Sequence, residues 1–151
     1  MKLAEALVIR ADTQKRLEQV KARLLRNAKV QEGEAPAEDP QALLAEADAM
    51  AAEWARLVRQ INLTNAQATV AGRTMTQALA DRDVLKWRHQ VHRELAAAAT
   101  VTQAVATRSE IRFRSAISVG AVQAAADAIA KELRELDARI QEANWTIELR
   151  E

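Results

Sequence analysis

The stretch VQAAADAIAKELRELDARIQEA, residues 122–143, decides the fold of this chain. Val122, Ala126, Ile129, Leu133, Leu136, Ile140 and Ala143 recur at alternating steps of four and three, with charged residues filling the gaps. That is an apolar heptad seam, the pattern by which one helix packs lengthwise on another. It specifies helix-on-helix assembly and carries no chemistry of its own.

N-terminal to the seam, Ser118 stands where a helix cap belongs, and Arg108 to Ser118 breaks the helical period. Ile111, Phe113 and Ile117 fall at odd positions while Arg112, Arg114 and Ser118 alternate with them, which predicts one short strand near 109–117. A lone strand leaves its backbone groups unpaired. Its partner is expected in Lys29 to Gln31, in Thr69 to Ala71, or in the same segment of a second copy, which makes it an oligomer contact.

Further back, Thr74 and Gln77 form a capping-box pair that starts a third helix, expected over 75–104, after a tight turn at Gly72. Its apolar line is Met75, Ala78, Leu79, Leu85, Val91 and Leu95. Asp39 as N-cap and Pro40 as first helical residue start a second helix over 40–66. Its line is Leu43, Ala47, Met50, Trp54, Leu57, Val58 and Ile61, and a polar patch of Asn62, Thr64 and Asn65 ends it. The first helix reads over 2–30, about 42 Å long at the standard rise. Leu3, Leu7, Leu17, Val20 and Leu24 form its seam, interrupted at Arg10 and at Thr13 or Gln14. The expected fold class is all-α: an antiparallel bundle of four long helices with one short strand, in a single helical domain over 1–151.

Composition agrees. The aromatic residues are Phe113, Trp54, Trp87 and Trp145, and three glycines and two prolines leave long helices uninterrupted. Trp54, on the second helix's core line, and Trp145, after the final seam, read as packing anchors, whereas Trp87 lies among charges and reads as exposed or interfacial. The chain has no cysteine, hence no disulfide framework and no thiolate metal site. Met1 to Arg10 lacks the apolar run of a secretory signal, and no stretch of about twenty apolar residues occurs, so a cytoplasmic protein is expected. The formal net charge is +1, but it is unevenly spread: Met1 to Gln31 holds eight basic and three acidic residues, Glu32 to Ala55 seven acidic and no basic ones. Two readings fit: complementary antiparallel helices, or a basic arm for polyanions.

A search for chemistry returns little. His89 and His92 are three apart on one helix, with Glu94 nearby, but no second histidine-bearing element completes a metal set, so no metal is expected. The three glycines are isolated, which rules out a Gly-rich phosphate loop, and no nucleophile-elbow or kinase pattern occurs. Arg108, Arg112 and Arg114 flank one aromatic, Phe113, a thin platform for single-stranded nucleic acid. Alanine-diluted helices lack the strongly apolar face of a membrane-surface helix. The expectation is a non-enzymatic protein without cofactor, nucleic acid or membrane partner.

Several stretches together carry a resemblance that covers almost the whole chain. They are Leu-Val-Ile-Arg-Ala-Asp (7–12) with Gln-Lys-Arg (14–16), Asn-Ala-Lys-Val-Gln-Glu-Gly-Glu (27–34), Ala-Glu-Asp-Pro (37–40), Gln-Ile-Asn-Leu-Thr-Asn (60–65), Leu-Ala-Asp-Arg-Asp (79–83), Arg-Ser-Glu-Ile (108–111) and Leu-Arg-Glu-Leu-Asp (133–137) through Asn-Trp-Thr (144–146). The sequence resembles a small bacterial family labelled septicolysin, otherwise a domain of unknown function. The resemblance implies one helical domain, and the label implies a membrane-active cytolysin. Its polar positions, Arg10, Asp12, Asn62, Asn65, Arg82, Asp83, Arg108, Glu110 and Asn144, form the candidate cluster. Two readings of that cluster stand: a buried network holding helix ends in register, or a small-ligand or anion pocket. The leading functional expectation is a self-associating structural or interaction protein, a homo-oligomer. A pocket using Arg10, Arg82 and Arg108 is the alternative.

Overall fold

The computed structural model describes residues 1–102 and 111–151. Its elements are α1 (Leu3–Arg26), α2 (Pro40–Gln67), β1 (Thr69–Val70), β2 (Arg73–Thr74), α3 (Met75–Ala99) and α4 (Val119–Thr146). The class is all-α, with helices packed on helices and a two-stranded scrap of sheet. The starts of α2, α3 and α4 are those their cap residues dictate. Asp39 accepts from the Gln41 N–H at 3.0 Å ahead of Pro40. Thr74 and Gln77 exchange both capping-box bonds, at 3.2 and 2.9 Å. The Ser118 hydroxyl accepts from the Ala121 N–H at 3.3 Å.

The chain divides into two compact units, residues 1–68 with 142–151, and residues 69–141. In the first, α1 and α2 form a hairpin. Its α2 seam is a strict heptad line, Leu43, Ala47, Met50, Trp54, Leu57, Ile61, Thr64 and Ala68, every member buried or half-buried. Charge complementarity sets the turn of this hairpin: Arg23 bonds Glu38 through its Nε at 3.1 Å and reaches Glu46 at 3.8 Å. The basic end of α1 thus lies against the acidic start of α2. Helix α1 ends at Arg26 and not at residue 30, because Asn27 turns the chain. Its side-chain amide donates to the Arg23 carbonyl at 2.9 Å while its oxygen accepts from the Glu38 N–H at 3.1 Å. The chain ends are clasped as an antiparallel bridge: the Leu3 N–H donates to the Ile147 carbonyl at 2.9 Å and the Leu149 N–H to the Met1 carbonyl at 2.8 Å.

In the second unit, β1 and β2 are the arms of a hairpin whose turn residues, Ala71 and Gly72, have φ of 51° and 78°. Two successive left-handed residues make the turn that suits right-twisted arms. Beside it, α3 and α4 run as a second helical pair, tied where Arg82 Nη1 meets Asp137 Oδ1 at 3.4 Å. The seam from residue 122 lies where its spacing put it, with Ala126, Ile129, Leu136 and Ile140 buried and Val122 and Leu133 half-buried.

The expectations for the strand and for α3 are also corrected. The expected strand near 109–117 is not formed over its described part, residues 111–117; residues 109 and 110, with the candidate residues Arg108 and Glu110, lie outside the described residues. A local turn occupies the segment instead. The Ser115 hydroxyl donates to the Ile117 carbonyl at 2.7 Å, a side-chain bond that competes with extended pairing, and Phe113 is exposed. Thr69 to Val70 does pair, with Arg73 to Thr74. The apolar line of α3 also differs, and the helix ends at Ala99 rather than residue 104. The inward line is Met75, Ala78, Arg82, Leu85, His89, His92, Ala96 and Ala99, whereas Val91 and Leu95 are exposed. Helix-on-helix packing holds the three-four spacing, and residues 91 and 95 fall off it despite their hydrophobicity.

Candidate functional site

The second unit carries an open cleft of about 430 Å³ beside the Ala71-Gly72 turn. Four residues of α3 (Asp81, Val84, Leu85, Arg88), four of α4 (Glu132, Glu135, Leu136, Arg139) and two of the hairpin (Ala71, Arg73) line it. They converge because α3 and α4 lie side by side with their seams turned inward, so the residues one position before each seam residue, about 100° round the helix, form the walls of a groove. Buried Leu85 and Leu136 make an apolar floor. Three guanidiniums and three carboxylates make the walls, so the lining carries no net charge. Arg73 is ion-paired with Asp81, which braces the hairpin on the first turns of α3. The lining offers guanidiniums and carboxylates over an apolar base, so this groove is equipped to hold charged groups.

Of the candidate cluster, the structure joins Arg82 to Asp83, at 3.8 Å, and adds Asp137 on α4. Arg82 is the informative member: it stands in the inward line of α3, its side chain is 22% exposed, and its Nε is buried without a hydrogen-bond partner. Asp83 is exposed. Arg10, Asn65 and Asn144 are half-buried and Asp12 and Asn62 exposed, all in the first unit. The residue of that region that is fully buried is Thr64, which the cluster omitted although it sits between Asn62 and Asn65. Its hydroxyl donates to the Gln60 carbonyl at 2.8 Å and accepts from the Arg150 N–H at 2.9 Å. Its heptad position on α2, seven residues after Leu57, was the signal available. Trp54, three residues before Leu57, is half-buried with its indole N–H buried and unbonded.

The His92 ring lies 2.7 Å from the Arg88 carbonyl. Among the described residues no three His, Asp, Glu or Cys side chains gather as a metal set, and no helix is long and apolar enough to cross a membrane.

Beside the cleft, α3 presents an outer face of large apolar side chains: Val84, Trp87, Val91 and Leu95, exposed by 56, 65, 36 and 42%. At 100° per residue they fall within one third of the helix circumference. Trp87 is exposed as its charged neighbours suggested, and Trp145, expected to be a packing anchor, is exposed as well.

Against known proteins, a family model described as a family of unknown function (DUF6847) matches residues 10–149. The crystal structure of a functionally unknown conserved protein from Corynebacterium diphtheriae is similar over 99% of each chain, with 39% sequence identity and a TM-score of 0.89. No curated protein matches.

Proposed function

Since the chain belongs to the DUF6847 family of unknown function, its surfaces are the ground for a reading, and we propose a non-enzymatic, self-associating helical interaction protein. The observation that carries this reading is the outer face of α3. A tryptophan two-thirds exposed in line with two valines and a leucine leaves apolar surface in water at a cost of roughly 25 cal/mol per Å². A contiguous patch of that kind marks an association surface. Sedimentation velocity over a dilution series from about 1 µM to about 500 µM tests it. The weight-average mass is expected to rise with concentration, and Val91→Glu to hold the chain at monomer mass. A wild-type chain that sediments as a monomer throughout overturns the reading.

The cleft supports a second reading, a binder of small anionic ligands held by Arg88 and Arg139. Raising phosphate at constant ionic strength is then expected to raise the melting temperature of wild type and not of Arg88→Gln. No shift for wild type sets this reading aside.

A further inference from the structure

We propose that two copies pair face to face through the α3–α4 side of the second unit, each α3 lying along the partner's α4, about a two-fold axis parallel to the helices. This rests on self-association as the function, and it names the surface and the register.

The register comes from the contact of Arg82 with Asp137 and from the cleft that Asp81 to Arg88 share with Glu132 to Arg139, which set residue i of α3 level with residue 219 − i of α4 to within about one turn. The same rule sets the end of α3, Ala99, level with the start of α4 near Gly120. On the cleft side, α3 shows Val84, Arg88, Val91 and Leu95, all exposed. At the same levels α4 shows Glu132, Ala128 and, half-buried, Ala125. A two-fold axis along the helices keeps every level and exchanges the two helices. Val91 of one copy then lies on the partner's Ala128, and Leu95 on the partner's Ala125, large side chains against small. Arg88 meets the partner's Glu132, and Asp81 meets the partner's Arg139, so both charge pairs are of opposite sign. The other two-fold, across the helices, lays α3 on α3: it sets large on large and Arg88 within a turn of its own copy, and is disfavoured on both counts.

Size and charge argue for a second copy rather than another occupant. The face from Asp81 to Ala98 is roughly 27 Å long and two helices, roughly 20 Å, wide. Two copies therefore bury roughly 1,100 Å², above the roughly 1,000 Å² a biological contact needs and in the range of weak, concentration-dependent ones. A lining with three guanidiniums and three carboxylates is neutral overall, so two copies of it meet without net repulsion, and the opposite-sign pairs named above favour an isologous contact.

The test is a mixing experiment read by sedimentation. Arg88→Glu faces the partner's Glu132 with a like charge twice per dimer, and Glu132→Arg does the same with Arg88. Each variant alone is expected to self-associate about tenfold more weakly than wild type. Mixed one to one, they restore both opposite-charge pairs across the interface, and a heterodimer is expected near wild-type strength. A charge swap within one chain has no part in that rescue, since each chain carries a single change. Leu95→Gln, with circular dichroism confirming the helix content of every variant, is the apolar counterpart and is expected to weaken association as well. If wild type self-associates while the mixture stays as weak as its components, this pairing is overturned and the functional reading stands. If wild type is monomeric, both fall.

Discussion

Thr64→Val is the most informative single change in the first unit. Thr64 has no exposed surface, and its hydroxyl joins α2 to the C-terminal segment by accepting the Arg150 N–H at 2.9 Å. Valine keeps the shape and removes that acceptor. The bond back to the Gln60 carbonyl is also lost, but a Thr hydroxyl bonded four residues back within a helix contributes little. The lost bond to Arg150 therefore dominates, at about 1–2 kcal/mol, part of which the added methyl offsets. Thr64→Ser keeps both bonds and loses one buried methyl group, about 1 kcal/mol. Urea midpoints alone thus fail to separate the two variants, and amide exchange does separate them. The Arg150 amide is expected to lose protection in Thr64→Val and to keep it in Thr64→Ser. An Arg150 amide as protected in Thr64→Val as in wild type refutes the assigned role of the hydroxyl.

Three further outcomes are expected. Ala71 holds a φ of 51° in a two-residue turn that favours Asn-Gly, so Ala71→Asn is expected to gain about 0.5–1 kcal/mol, read as a higher urea midpoint; an unchanged or lower midpoint contradicts that account of the turn. The Lys2 ammonium and the chain's N-terminal ammonium hydrogen-bond Glu148, at 2.6 and 3.1 Å, and hold its carboxyl below the usual carboxylate range. Its folded value lies below its unfolded one, so the stabilisation is present above about pH 4.3 and is lost as pH falls through the folded value. The melting-temperature gap between wild type and Glu148→Gln is therefore expected to close on acidification, and a widening gap contradicts the assignment. Ile140, fully buried in the α4 seam, is expected to lose about 2–5 kcal/mol on replacement by alanine; a loss below about 1 kcal/mol, read from urea unfolding, removes it from the core.

What the sequence made legible followed from strict periodicity and from caps. The seam of α4, the hairpin of α1 with α2 and the starts at Asp39, Thr74 and Ser118 all rest on interactions a few residues apart. What stayed illegible required knowing what a residue meets. Val91 and Leu95 look like core because they are large and apolar, yet the facing helix admits His89, His92 and Ala96 in their place. Ile111, Phe113 and Ile117 alternate like a strand, but Ser115 closes a local turn in that segment, and no alternation pattern reveals it. The cleft drew on Arg73, Arg88, Glu132, Glu135 and Arg139, single charged residues on three elements. None forms a motif, and only the pairing of α3 with α4 brings them together. Arg82 was visible as a polar residue in a resembling stretch, whereas its place inside the seam was not.

One geometric relation connects the inward and outward faces of the second unit. Helix α4 spends its large side chains inward, at Ile129, Leu133, Leu136 and Ile140, and leaves alanines outside at positions 121, 124 and 128. Helix α3 does the reverse over its C-terminal half, with Ala96 and Ala99 inward and Val91 and Leu95 outward. By the register of Arg82 with Asp137, Ile129, Leu133, Leu136 and Ile140 lie level with His89, Leu85, Arg82 and Ala78, so the aliphatic residues of α4 face the polar part of the α3 seam, and Val122 and Val119 lie level with Ala96 and Ala99. The outer faces are complementary, large on α3 and small on α4, and no second helix among the described residues of the unit lies across them. Close packing of that surplus requires a helix pair with the same alternation at the same spacing. In the proposed pairing the partner's α4 supplies it, with Ala128 and Ala125 level with Val91 and Leu95.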